Sequence, residues 1–196
     1  MSEVKTDKLS PRTGSGTVTL GTSGDTFDVP SGVTFDVTGA TVSGLTTGKV
    51  LQVVQTFKND TFSTNAVGVG NAVTLTGLTA SITPSLTSSK ILISWMINYS
   101  TSASYTGYCN IMRDTTAIAQ PSGGSDPSSF NLQNRDTNVV KPASGNYLDS
   151  PSSTSAITYS FDVWSNHTSN TILINQMTAS ATITTVSTIT LMEIGA

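Results

Sequence analysis

The chain reads as all-β: a short repetitive β shaft followed by a jelly-roll-like β-sandwich. Three observations predict this. Charged residues are 11% of the 196 residues, under half of the roughly 25% usual for a soluble domain. About a third of the chain is Ser or Thr, and β-branched Thr suits the half-exposed face of a pleated strand. Val, Ile and aromatic residues recur in short regular runs, whereas a disordered chain lacks them.

Residues 1–16 are polar, contain Pro11 and end in Gly14-Ser15-Gly16, so they read as a flexible or partner-ordered N-terminal arm. Residues 17–48 are repetitive. Thr26-Phe27-Asp28-Val29 returns eight residues later as Thr34-Phe35-Asp36-Val37, and turn-like Pro30-Ser31-Gly32 and Thr38-Gly39-Ala40 follow the two copies. A four-residue strand plus a turn has no core of its own and is stable only when stacked on neighbours. Two readings stand side by side. Residues 26–29 and 33–37 form one hairpin closed by a three-residue loop, or each short strand is a side of a prism shared by three chains. In the second reading Phe27, Val29, Phe35 and Val37 face the common axis and Asp28 and Asp36 face water.

Residues 49–196 are expected to form one knob. In 90–99 every second residue from Ile91 to Tyr99 is large and apolar, and Leu92 and Met96 make the other face apolar too. That pattern predicts a central strand covered on both sides, as at a subunit contact. Residues 157–163 alternate cleanly, as a half-exposed strand does. Further strands are expected at 49–57, 72–76, 78–83, 106–113, 115–119, 171–176 and 188–194, with prolines between or at the edges of the runs. Short strands separated by Gly, Pro and Ser turns make a two-sheet sandwich. No helix is expected.

Catalytic chemistry lacks the residues it needs, and the chain is not expected to be an enzyme. His167 is the one histidine and sits in a loop-like run, and no G-x-S-x-G elbow is present. One His and one Cys do not make a zinc site, and neither a dinucleotide fingerprint nor a P-loop occurs. Asp25, Asp28 and Asp36 read as solvated acids, with a shared divalent ion on a threefold axis as the alternative. No cofactor is expected. Cys109 stands alone, so no intrachain disulfide forms, and it reads as a small buried hydrophobe. Three Asn-X-Ser/Thr triplets carry no signal, since about four of the twelve Asn would match by chance.

A net charge of −3 with no cluster of four Lys or Arg argues against nucleic acid. The absence of a run of about 18 apolar residues argues against membrane insertion. The polar start, Met1 to Lys8, lacks the apolar middle of a secretory signal. The protein is expected to be made and kept in a cytosol, or to leave it by a route other than ordinary secretion, of which cell lysis is one.

Several blocks together resemble the short tail-fibre-like structural proteins of marine bacteriophages, notably those of cyanobacteria. They are 3–14, 21–32, 48–54, 82–85 with 88–92, 112–119, 147–151 and 190–194. The resemblance implies a homotrimeric virion protein whose N-terminal arm joins other tail or head proteins. It also implies a C-terminal knob similar to the trimeric jelly rolls of the complement globular-head and tumour-necrosis-factor type. Residues 120–146 depart from these blocks, and Pro121 to Pro127 reads as a long exposed loop, the first place to seek receptor specificity. The function implied is a trimeric tail fibre touching a host surface polysaccharide or protein. The alternative is a head fibre, decoration or tail connector with a purely architectural role. A tailspike-type depolymerase would need a longer chain.

Overall fold

A computed structural model describes residues 50–136, 139–177 and 180–195, together with Thr19, Thr26, Val29 and 31–34. The chain divides into two units, Met1–Leu45 and Thr46–Ala196. In the first, Ser31 and Gly32 form a turn in which Gly32 takes φ 86°, a left-handed conformation that costs glycine little. Thr26, Val29, Val33 and Thr34 lie outside regular strand.

The second unit is built of strands β1 (Val50–Lys58), β2 (Phe62–Thr64), β3 (Val73–Thr74), β4 (Ala80–Ile82), β5 (Lys90–Thr101), β6 (Thr106–Arg113) and β7 (Thr116–Ile118). They are followed by β8 (Phe130–Gln133), β9 (Lys141–Asp149), β10 (Ile157–Ser165), β11 (Ile172–Ile174), β12 (Gln176–Met177), β13 (Ser180–Thr184) and β14 (Ser187–Ile194). The one helical turn among the described residues is a 3-10 turn at Val69–Asn71. The all-β expectation holds.

The pairing is nested. β1 pairs β14, β4 pairs β10, β5 pairs β9 and β6 pairs β8, all antiparallel. First strand meets last, and each inner pair sits inside the one before, so the unit is one long hairpin wrapped into two sheets. That is the jelly-roll arrangement. One sheet runs β1-β14-β5-β9, with β11 and β2 continuing beside the far end of β5, and the other runs through β4, β10, β6 and β8. β3 and β7 extend the second sheet's edges.

The core lies between the sheets. Ile91, Ile93 and Ile97 of β5 and Ile189 and Leu191 of β14 face Ile111 of β6 and Tyr159, Phe161 and Val163 of β10, all essentially inaccessible to water. Each such side chain contributes about 1.5–3 kcal/mol by leaving water. Cys109 is buried among them, and burial, with the nearby Asp162 carboxylate, pushes its thiol pKa well up. It is the inert small hydrophobe expected.

β5 is central, and within the chain its second face is open, with Leu92 half-buried and Met96 36% exposed, so the cover expected there has to come from another subunit. One expectation is corrected in part. β10 is half-exposed at Thr158 and Asp162, but Ser160 and Trp164 on the same outer face are buried. Over Trp164 the reason is the loop before β8, which folds back onto it. Asp126 accepts hydrogen bonds from Trp164 Nε1 at 3.3 Å and from the Val69 amide at 2.9 Å. The Tyr108 ring stacks on Trp164 at 5.6 Å between centroids.

Candidate functional site

Of the residues expected on a shaft axis, Val29 is half-buried and outside regular structure. Phe27, Phe35 and Val37 lie outside the described residues, as do Asp25, Asp28 and Asp36. Among the described residues no group of three His, Cys, Asp or Glu side chains converges. No helix there is long and apolar enough to cross a membrane. Two surfaces of the sandwich remain as candidates.

The first is the outer face of the β1-β14-β5-β9 sheet. Strand register places Val53, Met192, Leu92 and Leu148 in one row across all four strands. The next row is Gln55, Thr190, Ser94 and Asn146, and the third is Phe57, Thr188, Met96 and Ser144. No side chain in the three rows is charged. Val53 and Phe57 are each 56% exposed and Leu148 is 46% exposed. A sheet face solvated in the monomer should alternate polar-out. This one carries one row that is apolar throughout, and Phe57 and Met96 in a second.

The second surface is the loop end opposite the point where β1 enters. Val50 enters beside Ile194 and Lys90. At the other end, the β5–β6 loop and the β10–β11 loop are sewn together. Ser102 N donates to Thr171 O at 2.9 Å, and Thr171 N donates back to Ser102 Oγ at 2.7 Å. Thr106 N donates to Asn166 Oδ1, Asn166 N returns a bond to Thr106 O, and Ala103 N donates to Asn170 Oδ1. Ser104 Oγ ties this pair to the β8–β9 loop through Arg135 O. On the stitched loops the rings of Tyr105 and His167 stack at 3.9 Å, only 2° from parallel. Ser169 N donates to His167 Nδ1 at 3.1 Å, so the neutral ring carries its proton on Nε2.

No family model matches the chain, and no curated protein matches it in sequence. Among solved structures it is similar to the T=1 particles derived from infectious bursal virus, at 11% identity and a TM-score of 0.41, over 74% of this chain and 36% of that one. It is also similar to the VP2 subviral particle of infectious bursal disease virus, at 11% identity and a TM-score of 0.40, over 74% and 37% of the two chains. The chain spans little more than a third of the length of those proteins. A likeness this distant carries no argument about function, which rests on the two surfaces.

Sequence reasoning placed specificity in the Pro121–Pro127 loop. That loop is exposed at 121–125 but pinned at its C-terminal side by Asp126 and at its N-terminal side by Gln120, whose Nε2 donates to Asn110 Oδ1 at 2.7 Å. The Tyr105–His167 pair was missed as a site. The signal for it was weak: a single exposed aromatic in Ser102-Ala103-Ser104-Tyr105, with its partner 62 positions away.

Proposed function

We propose that the chain is a virion structural protein. It forms a homotrimeric fibre whose N-terminal arm, residues 1–16, joins other virion proteins. Residues 17–48 form its shaft, and the sandwich is its host-facing head. The observation that carries this reading is the uncharged outer face of the β1-β14-β5-β9 sheet. Three rows about 7 Å apart on four strands about 4.8 Å apart present roughly 400 Å² per copy. Turned toward a common threefold axis, three such faces hide about 1,200 Å² in all, with each copy meeting both neighbours. A second copy of the chain suits this face, because a surface without charge meets itself without repulsion. The neutral middle row of Gln, Thr, Ser and Asn then supplies hydrogen bonds between copies.

The position of the loops fits the same reading. β1 begins with Val50 at one end of the sandwich, and the stitched loops lie at the other. Three copies of one weak site gain affinity through avidity when the receptor allows simultaneous engagement.

Sedimentation of the full chain tests the assembly. A trimer is expected at micromolar concentration, and Val53→Lys combined with Leu148→Lys should release folded monomers. A monomeric wild-type protein overturns the reading. Labelling the protein on intact particles tests its place: signal at the tail tip supports a tail fibre, and signal confined to the head rejects it.

A further inference from the structure

We infer that the Tyr105–His167 pair is a saccharide-binding platform that takes a neutral pyranose. The inference rests on the fibre reading and names the ligand class at its tip. Nothing in the sandwich needs this pair. Tyr105 lies outside the core, 38% exposed, and its loop is already closed by five hydrogen bonds that do not involve either ring. Leaving an aromatic face in water costs free energy that a polar residue would avoid.

The geometry is prepared in advance. Ser165 Oγ accepts from the His167 amide and from Asn170 Nδ2, and the Asn170 amide donates to His167 O. With Nδ1 occupied by the Ser169 amide, the imidazole plane is held and Nε2–H is left as a directed donor. A pyranose has one face of C–H groups, which packs on an aromatic ring, and a rim of hydroxyls, which need donors and acceptors around that ring. His167 Nε2–H supplies such a rim together with two groups beside the rings: the Ser104 hydroxyl oxygen as acceptor, its proton going to Arg135 O, and Asn166 Nδ2 as donor, its Oδ1 taking the Thr106 amide.

The size of the surface argues for a sugar and against a protein. A protein interface needs on the order of 800 Å² per partner with an apolar centre. Here the large exposed apolar side chains of the loops are Tyr105 and, on the β8–β9 loop, Val139. One ring matches one sugar. Contacts of this size give dissociation constants in the millimolar range, and three copies raise the effective affinity.

Saturation-transfer NMR on the full chain tests this with methyl glucoside, methyl galactoside, methyl mannoside and N-acetylglucosamine at about 50 mM, well above a millimolar constant. At least one sugar should receive saturation on its C–H protons. Tyr105→Phe should keep that signal, while Tyr105→Ala and, separately, His167→Ala should each lower it roughly five- to tenfold. No transfer to any sugar, or equal transfer in both alanine variants, overturns the inference. Particles that carry the protein and adsorb to host cells despite a negative sugar result would sink this site alone. Absence of the protein from particles would sink the fibre reading instead.

Discussion

Gly145 lies directly across from Trp95 in the β5–β9 ladder, and the indole occupies the space where a side chain on Gly145 would be. A Cβ there would sit 2.6 Å from Trp95 Cζ2. The indole in turn stacks on Phe130 at 5.2 Å and leans on Phe161 at 6.0 Å, so it cannot move aside freely. Gly145→Ala is therefore expected to overpack the site and cost about 1–3 kcal/mol. In a chain of this size that lowers Tm by roughly 2–4 °C per kcal/mol. Scanning calorimetry reads the loss, and an unchanged Tm would show that Trp95 has another place to go.

Asn175 holds four strands at one junction. Its φ of 60° is left-handed, a conformation Asn tolerates better than most residues. Nδ2 donates to Lys58 O and Asp60 O at 3.0 Å, Oδ1 accepts from Ser187 Oγ at 2.6 Å, and the amide donates to Asn98 O. Asn175→Gly keeps the backbone conformation and removes only the side-chain bonds. Their loss leaves buried polar groups without partners, at about 1–3 kcal/mol. Hydrogen exchange should quicken at the β1 end and at the start of β14 together. Loss confined to one of the two would mean that Asn175 does not couple them.

Much of this architecture was legible in the sequence, and the exceptions have physical causes. Strongly alternating strands such as β1, β5, β6, β10 and β14 announce themselves through Ile, Val and aromatic spacing. β9 did not. Its inward positions include Ala143 and Gly145, and its outward ones include Pro142, Ser144 and Asn146, so no hydrophobic period exists to read. Pro142 is tolerated because β9 is an edge strand. β2, β8, β12 and β13 have five residues or fewer, too short for a period to show. The covered outer face of β10 was hidden because its cover comes from a loop about forty residues earlier, a tertiary fact with no local signature. The Tyr105–His167 stack was hidden for the same reason.

Glu193 makes stability depend on pH. It is buried and accepts from Gln52 Nε2 at 2.7 Å, Ser89 Oγ at 2.7 Å, the Ser85 amide at 2.6 Å and Ser85 Oγ at 3.2 Å. Burial alone pushes the carboxyl pKa up, but the bonds from Gln52, Ser89 and Ser85 outweigh it and hold the group below its ordinary 4.5. A carboxyl lowered on folding stabilises the fold above its unfolded pKa, and that contribution fades as pH falls through 4.5 and below. Glu193→Gln cannot accept so many donors and should cost about 1.5–3 kcal/mol at neutral pH. The gap between the two proteins in urea midpoint should narrow from about pH 7 to about pH 3. A constant gap would mean that the charge of Glu193 is not what the donors recognise.

Asp126 decides whether the outer face of β10 stays covered. One carboxylate oxygen takes the Val69 amide and the other takes the Trp164 indole N–H, so a single side chain clamps the loop before β8 to the 3-10 turn and to β10. Trp164 has no exposed surface while the clamp holds. Asp126→Ala removes both bonds, leaves the indole N–H without its acceptor and frees the neighbouring run Pro121-Ser122-Gly123-Gly124-Ser125. The expected cost is about 1–3 kcal/mol. Acrylamide should then quench Trp164 more readily, because the loop opens on its own while the sandwich remains intact. In a Trp95→Phe background Trp164 is the sole tryptophan, which isolates its signal. Unaltered quenching would mean that Tyr108, stacked on the same indole, covers Trp164 without help from the loop.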